Sequence, residues 1–273
     1  MRNLFLLICG SLFCLKAIAI NAGEPLRDQD YPQMVRVYTY PEDEADKIKN
    51  PIDWCSGVVI SDSAVLTAGH CVPDKDHPEG IVISILLYNN GHLQRFDSKK
   101  FVTPFIRKPT PDMYPQQSSS PGYVKGCYQG PVPLIKTAEA DIALVFFPPK
   151  TFKHWIEIDR TEVLPGDHVS MYGFGFRNNS LVTPVLGPTL EKNGLSVSHS
   201  IVAERANDQR FSVLNSDSEK FADAGDSGGA VLRNNRLVGI ISTREQKCED
   251  RYGSDYAILN SIIRLNAKST LSP

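Results

Sequence analysis

Three short segments of the chain carry the residue types that can activate a serine hydroxyl. His70 lies in Leu-Thr-Ala-Gly-His-Cys, Asp141 begins Asp-Ile-Ala-Leu-Val, and Ser227 lies in Gly-Asp-Ser-Gly-Gly. A serine hydroxyl is a poor nucleophile at neutral pH, so it needs an imidazole to accept its proton and a carboxylate to orient that imidazole. Glycines on both sides of Ser227 allow a tight turn whose backbone N–H groups point at a developing oxyanion. These residues predict nucleophilic catalysis by Ser227.

The order of the three segments along the chain distinguishes between the known types of enzyme that use such residues. Gly-x-Ser-x-Gly also occurs at the nucleophile elbow of α/β-hydrolases, but that fold requires a histidine after the serine. No histidine follows Ser227, because the six histidines are at positions 70, 77, 92, 154, 168 and 199. A subtilisin-type order needs an aspartate before the histidine, and no segment before His70 carries that signature. Only the order His, Asp, Ser remains.

The elements that must position these residues are predicted to be β-strands. Short apolar or alternating segments bounded by Gly, Pro, Asn or Asp are typical of strands. They are Met34–Thr39, Gly57–Ile60, Ala64–Thr67, Ile81–Leu87, Asp141–Phe147, His168–Phe174, Arg210–Val213, Gly229–Leu232 and Arg236–Ser242. Helical periodicity is found only near the end, around Asn260–Leu265. The polar, proline-broken stretch Pro104–Pro133 predicts a long surface loop. The pattern indicates an all-β protein.

The first nineteen residues have the features of a signal peptide. Arg2 precedes the mostly apolar run Leu4–Leu15, and Ala17-Ile18-Ala19 supplies the small residues that signal peptidase recognises. The alternative, a membrane anchor, needs about 20 apolar residues, and Lys16 interrupts this run too early. No later segment is apolar for long enough to span a bilayer. We therefore expect export, to an extracellular or periplasmic location, without a membrane span.

The charge and the cysteine content exclude further classes of protein. The 273 residues include 29 Lys+Arg and 31 Asp+Glu, a net charge of −2, which argues against a dedicated nucleic-acid binder. After removal of the signal peptide the chain keeps Cys55, Cys71, Cys127 and Cys248. An even number of cysteines in an exported chain predicts disulfides, and no CxxC or HxxxH spacing supports zinc. No metal and no cofactor are expected.

The three motifs, in this order, resemble the chymotrypsin/trypsin family of serine endopeptidases, peptidase family S1. Trp54–Gly57 followed by Val65–Cys71 resembles the family's histidine block, in which the two cysteines are bonded. Val169–Gly175 is similar to the strand that ends in Gly-Trp-Gly, and Val238–Ser242 resembles the strand that pairs with substrate. The resemblance covers nearly all of the mature chain, from Ile20 to about Leu265.

The resemblance implies a fold. A protease domain at 20–273 would contain two antiparallel six-stranded β-barrels, at about 30–150 and about 151–260. A short C-terminal helix at about 260–266 would follow. The active site would lie in the cleft between the barrels, and a Cys55–Cys71 disulfide would stabilise its histidine loop.

The resemblance also assigns roles to individual residues. His70 would be the general base, Asp141 its orienting carboxylate and Ser227 the nucleophile. The backbone N–H groups of Gly225 and Ser227 would form the oxyanion hole.

The start of the mature chain resembles that of activated family members. Cleavage after Ala19 would leave Ile20-Asn21-Ala22-Gly23, and the new α-amino group would pair with Asp226, the residue before the nucleophile. A buried carboxylate without a partner costs roughly 3–5 kcal/mol, so this amine would organise the oxyanion hole. We hypothesise that signal peptidase itself generates the activating terminus. In the alternative, cleavage falls elsewhere, for instance after Ala22, and Asp226 has another partner.

The specificity pocket, which the resemblance assigns to Phe221, Ser242 and Arg244, departs from the family pattern. Phe221 occupies the position where the family often has a charge-reading aspartate, and Thr243-Arg244 replaces the usual Trp-Gly after Ser242. A preference for Arg or Lys is therefore not supported. Arg244 could attract an acidic side chain or could be a solvated loop residue.

Two cysteines remain after the histidine-loop pair. In the family, the loop before the catalytic aspartate approaches the loop after the substrate-pairing strand, so we predict a Cys127–Cys248 bridge. The alternative is two unpaired thiols.

The sequence as a whole predicts a secreted, monomeric endopeptidase that acts on proteins or peptides through an acyl-enzyme. One alternative is a non-catalytic binding protein on the same fold, with an obstructed specificity pocket. A serine esterase is a third interpretation.

Overall fold

The structure is a computed structural model that describes residues 17–18, 20, 23–43, 51, 53–72, 80–89, 91–103, 123–124, 127–128, 141–175, 193–204, 210–215, 222, 225–248 and 256–264. Only the backbone is described at 17–18, 123–124, 127–128, 193, 204, 210, 215, 243–248, 256–261 and 263–264.

These residues form β-strands joined by turns and two short 3-10 turns. The strands are β1 Ala17–Ile18, β2 Glu24–Pro25, β3 Met34–Pro41, β4 Asp53–Ser61, β5 Ala64–Thr67, β6 Ile81–Asn89, β7 His92–Ser98, β8 Phe101–Val102, β9 Tyr123–Val124, β10 Cys127–Tyr128, β11 Ala143–Phe146, β12 His168–Gly173, β13 Asn193–Gly194, β14 Ser196–Glu204, β15 Arg210–Asn215, β16 Ala230–Arg233, β17 Arg236–Cys248 and β18 Tyr256–Arg264. The 3-10 turns are Asp28–Asp30 and Gly69–Cys71. None of the described residues forms a helix with the length and hydrophobicity needed to cross a membrane.

The first sheet is antiparallel, in the order β7-β6-β3-β4-β5-β11-β8. Because β7 and β8 are separated only by Lys99 and Lys100, the chain itself joins the two ends of this sheet. Valine and isoleucine side chains such as Val37, Val59 and Ile85 fill its interior. Side chains branched at Cβ favour strands, which is why these segments extend rather than coil.

The second sheet closes into a ring. Six of its nine strands follow the order β16-β12-β14-β15-β18-β17, and β17 pairs with β16 as well as with β18. Strands β10 and β9 continue the sheet from β17, and β2 pairs with β14. Closure leaves no free edge among these six strands. Met171, Phe211 and Ile262 are buried in the interior. Two antiparallel sheets of this kind confirm the predicted chymotrypsin-like, all-β fold.

The two sheets pack together through a shared apolar cluster. It contains Met34 and Leu66 of the first sheet and Tyr172, Leu232 and Ile240 of the second, all buried. This contact brings together the turn after β5, the segment before β11 and the turn before β16. Each of these three segments contains one of the residues singled out by the sequence.

The predicted strands are confirmed within about four residues at each end, except that β17 continues to Cys248, six residues past its predicted end. The predicted C-terminal helix at about 260–266 is wrong. Residues Tyr256–Arg264 form β18, which lies between β15 and β17. Apolar residues recur there both in adjacent pairs and four apart, so periodicity alone allowed a helix. The strand forms because it buries Ile262 completely and receives backbone hydrogen bonds from neighbours on both sides.

Two of the longer strands were missed for a different reason. β7 is polar and largely half-exposed, so it has no clear apolar face. β14 buries Ser196, Ser198 and Ser200, which conceals its alternating pattern. Most of the predicted loop at 104–133 lies outside the described residues. Within it, β9 and β10 pair in antiparallel fashion.

Candidate active site

His70 lies on the 3-10 turn that follows β5, and a disulfide holds this turn. The sulfurs of Cys55 and Cys71 are bonded, which confirms the predicted bridge between β4 and the turn. The hydroxyl of Thr39 on β3 donates to the Cys71 carbonyl at 2.9 Å. The side chain of His70 remains 27 % exposed, so its ring is anchored on one side and accessible on the other.

Asp141 lies just before β11 and makes two contacts to His70. Its Oδ2 lies 2.8 Å from His70 Nδ1, and its Oδ1 accepts the backbone N–H of His70 at 2.8 Å. Burial by itself raises the pKa of the Asp141 carboxyl, but the hydrogen bonds and charge of His70, together with a bond from Ser242, outweigh burial and hold this pKa below its ordinary value. An ionised carboxylate can only accept, so the proton on His70 lies on Nδ1.

Ser242, on β17, connects Asp141 with Ser227. Its hydroxyl donates to Asp141 Oδ2 at 2.5 Å, and its backbone carbonyl accepts the Ser227 hydroxyl at 3.4 Å. The sequence suggested Ser242 only as a residue of the specificity pocket. The structure also gives it a place beside the acid and the serine.

Ser227 lies in the turn before β16, which requires glycine at two points. Gly225 and Gly228 have φ angles of +90° and +79°, in the region that side chains with a Cβ rarely adopt. A Cβ at Gly228 would lie 2.2 Å from Thr67 Oγ1, so only glycine fits against β5. The backbone N–H of Gly228 donates to the Ile241 carbonyl at 2.7 Å, which joins the turn to β17.

Asp226 and Ile20 are both completely buried. Asp226 Oδ1 accepts the backbone N–H of Gly175 at 2.7 Å. A Cβ at Gly173 would lie 2.1 Å from the same oxygen, so glycine at the end of β12 is what allows the carboxylate to lie there. Ile20 belongs to the apolar interior of the second sheet, together with Met171.

The remaining candidate residues are only partly described. Phe221 lies outside the described residues, and Arg244 is described only by its backbone on β17. The side chains of Cys127 and Cys248 are likewise not described, although their strands pair, with Tyr128 opposite Lys247.

One group of ligand-type atoms was found among the described residues. Atoms of Cys55, His70 and Cys71 lie within 4.8 Å of one another. The two sulfurs are joined in the disulfide, so they do not provide thiolate ligands.

The arrangement places an oriented imidazole and a serine hydroxyl on turns that converge between the two sheets. Sequence reasoning identified the imidazole, the carboxylate and the serine, but it missed Ser56 on β4. The hydroxyl and backbone of Ser56 contact the turn that contains Ser227. No motif signals this role, because it depends on two segments far apart in the chain.

Comparisons with known proteins agree with this fold. The sequence matches the trypsin family model over residues 20–264. Among solved structures the fold is similar to that of neuropsin, a serine protease expressed in the limbic system of mouse brain. The TM-score is 0.58 at 16 % identity, over 92 % of this chain and 96 % of that one. No curated protein sequence matches the chain.

Proposed function

Since the chain belongs to the trypsin family of serine endopeptidases, we propose that it hydrolyses peptide bonds with Ser227 as nucleophile, His70 as general base and Asp141 as the orienting carboxylate. The observation that carries this assignment is the paired contact between His70 and Asp141, with Nδ1 and Oδ2 2.8 Å apart. Because Nδ1 is held by Asp141, Nε2 is the nitrogen that takes part in proton transfer.

The reaction proceeds in two halves. The Ser227 oxygen attacks the scissile carbonyl carbon while its proton passes to Nε2 of His70, and the carbonyl oxygen becomes an oxyanion. The N–H groups of Gly225 and Ser227 stabilise that oxyanion. The C–N bond then breaks as His70 returns the proton to the leaving amine, which leaves an acyl-enzyme. Water, deprotonated by His70, attacks the acyl-enzyme, and Ser227 regains its proton as the acid is released.

A fluorophosphonate probe tests this assignment without knowledge of the substrate. Such a probe phosphonylates an activated serine, so we expect labelling at Ser227 and none in the Ser227→Ala variant. Ser63→Ala is a matched control, because Ser63 lies in the turn between β4 and β5 and bonds to Asp62. Folded, processed protein that is not labelled would contradict the proposed catalysis and favour a binding role on the same fold.

Residues 1–19 are proposed to direct the chain to the secretory pathway as a signal peptide, and their removal is the proposed activation step. The complete burial of Ile20 and Asp226 supports the proposal, because a charged α-amino group on Ile20 and the Asp226 carboxylate would each need an opposite charge in a buried environment. An ion pair there would compensate the buried carboxylate. Terminal sequencing of active protein is expected to find Ile20 first, and a start at Gly23 would contradict this activation step.

We propose a monomer, acting on proteins or peptides, with a second disulfide between Cys127 and Cys248. This proposal rests on the resemblance to the family and on the pairing of β10 with β17, which brings the two segments together with Tyr128 opposite Lys247. In that parallel register Cys127 and Cys248 lie two positions apart along the strands, so the bridge requires a local shift of register. A thiol assay on folded protein is expected to find neither cysteine reactive. Two reactive thiols would exclude the bridge. Mass measurement by light scattering tests the monomer.

A further inference from the structure

We infer that Ser56 is a positioning residue that sets the orientation of the oxyanion hole, an inference that rests on the catalytic assignment proposed above. Ser56 lies in β4 and is 1 % exposed. Its hydroxyl donates to the Gly225 carbonyl at 2.8 Å, and its backbone N–H donates to the Ser227 carbonyl at 2.8 Å. One residue of the first sheet thus holds both residues whose N–H groups would stabilise the oxyanion.

These two bonds restrict the backbone rotations that aim the N–H groups. Each peptide unit is planar, so fixing a carbonyl also fixes the plane that it shares with the next N–H. The bonds from Ser56 hold the peptide units that follow Gly225 and Ser227. The N–H of Ser227 belongs to the unit between them, so the rotation of that unit is limited from both sides.

Two further contacts fix Ser56 and the turn against each other. The Ser56 hydroxyl accepts the backbone N–H of Phe174 at 2.9 Å, so it is used both as a donor and as an acceptor. Trp54 lies two residues earlier on β4, on the same side of the strand. The position of a Cβ on Gly225 would be only 2.8 Å from the indole Nε1, so the ring packs directly against the turn.

Removal of the Ser56 hydroxyl would leave two buried backbone groups unpaired. In Ser56→Ala, the Gly225 carbonyl and the Phe174 N–H both lose their partner within the protein. The Gly225 peptide can then rotate to find a new partner, and its rotation misdirects the oxyanion donors. This effect falls on the chemical step, because the oxyanion forms only after substrate or probe has bound.

The test separates binding from chemistry in the fluorophosphonate reaction. The full chain is expressed and processed in a secreting host, and the inhibition constant and the maximal labelling rate are measured for each variant. Ser56→Ala is expected to lower the maximal labelling rate by about tenfold to a hundredfold while the inhibition constant changes by less than about threefold.

Ser84→Ala is the matched control. Ser84 is also completely buried, donates to Asp97 at 2.6 Å and accepts from Arg95 at 2.9 Å, but it lies on β6 away from the turn. This variant is expected to lower the unfolding midpoint and to leave the maximal labelling rate of the folded protein unchanged.

A second pair of variants applies if Ser56→Ala does not fold. Ser56→Thr and Ser56→Val have similar shapes and differ in one hydroxyl, so the threonine variant is expected to label faster than the valine variant. Equal rates for that pair, or a wild-type rate for Ser56→Ala, would overturn the role of Ser56 while catalysis by Ser227 stands. Absence of labelling in the wild-type protein would overturn the catalytic assignment and this inference together.

Discussion

A buried ion pair between Asp28 and Arg36 offers a quantitative test of how the two sheets are held together. Arg36 lies on β3 and Asp28 on the preceding 3-10 turn, with Nη2 and Oδ2 2.6 Å apart. Their side chains are only 4 % and 13 % exposed. The guanidinium carbon also lies 4.2 Å from the centre of the Phe174 ring, and Asp28 Oδ1 accepts the Leu195 N–H at 2.8 Å. The pair therefore connects the first sheet with two segments of the second.

Two substitutions each remove one charge of this pair. Asp28→Asn keeps an oxygen for the Leu195 N–H but takes the Asp28 charge away from the buried guanidinium. Arg36→Met keeps an apolar contact with Phe174 but leaves the carboxylate without its cation. Loss of one member of a buried pair costs about 3–5 kcal/mol, so each variant is expected to lower the free energy of unfolding by about that amount.

The double variant Asp28→Asn/Arg36→Met is expected to lose much less than the sum of the two single losses. Neither charge remains to be left uncompensated, so a coupling energy of about 2–3 kcal/mol should appear. Urea unfolding, followed by tryptophan fluorescence on a Ser227→Ala background that prevents self-digestion, measures all four proteins. Single losses below about 1 kcal/mol, the range of exposed pairs, or losses that add within about 0.5 kcal/mol, would refute this reasoning.

Three further predictions concern other parts of the structure. Replacing Cys55 and Cys71 together by alanine opens a loop with a sequence separation of 16, and urea unfolding is expected to show a loss of about 3 kcal/mol. Ser242→Ala removes a hydrogen bond to the ionised Asp141 carboxylate and is expected to slow fluorophosphonate labelling about tenfold. An unchanged rate would contradict a role for Ser242 in supporting that carboxylate. Arg233 pairs with Asp159, where burial by itself raises the pKa but hydrogen bonds from neighbouring groups and the charge of Arg233 lower it from 3.8 to about 2. The carboxylate therefore stabilises the folded state at neutral pH, and this contribution is lost as the pH falls from 3.8 to about 2. Between pH 3.8 and about 2, the free energy of unfolding of the Arg233→Met variant is expected to fall less than that of the wild type. Parallel acid-unfolding curves for the two proteins would contradict the stabilising role of this ion pair.

The sequence alone was sufficient for the outline of the fold because strand patterning is local. β5 was predicted with the observed ends, Ala64–Thr67, since four buried apolar or β-branched residues lie between polar or small ones. β18 was not, because its apolar spacing suits both a helix and a strand. Its pairing with β15 and β17 decided between them, and that pairing depends on residues far away in the chain.

The sequence alone identified His70, Asp141 and Ser227 as the candidate site residues. Only a few side chains can activate a serine, and the order of the three segments along the chain excluded other arrangements. The tertiary structure decided what surrounds them. Asp141 receives the Ser242 hydroxyl, and the turn around Ser227 is held by Ser56. These contacts span 101 and 169 positions along the chain, and they arise only when the two sheets pack together. A hydrogen bond requires atoms about 3 Å apart, and local sequence does not specify which distant segments reach that distance.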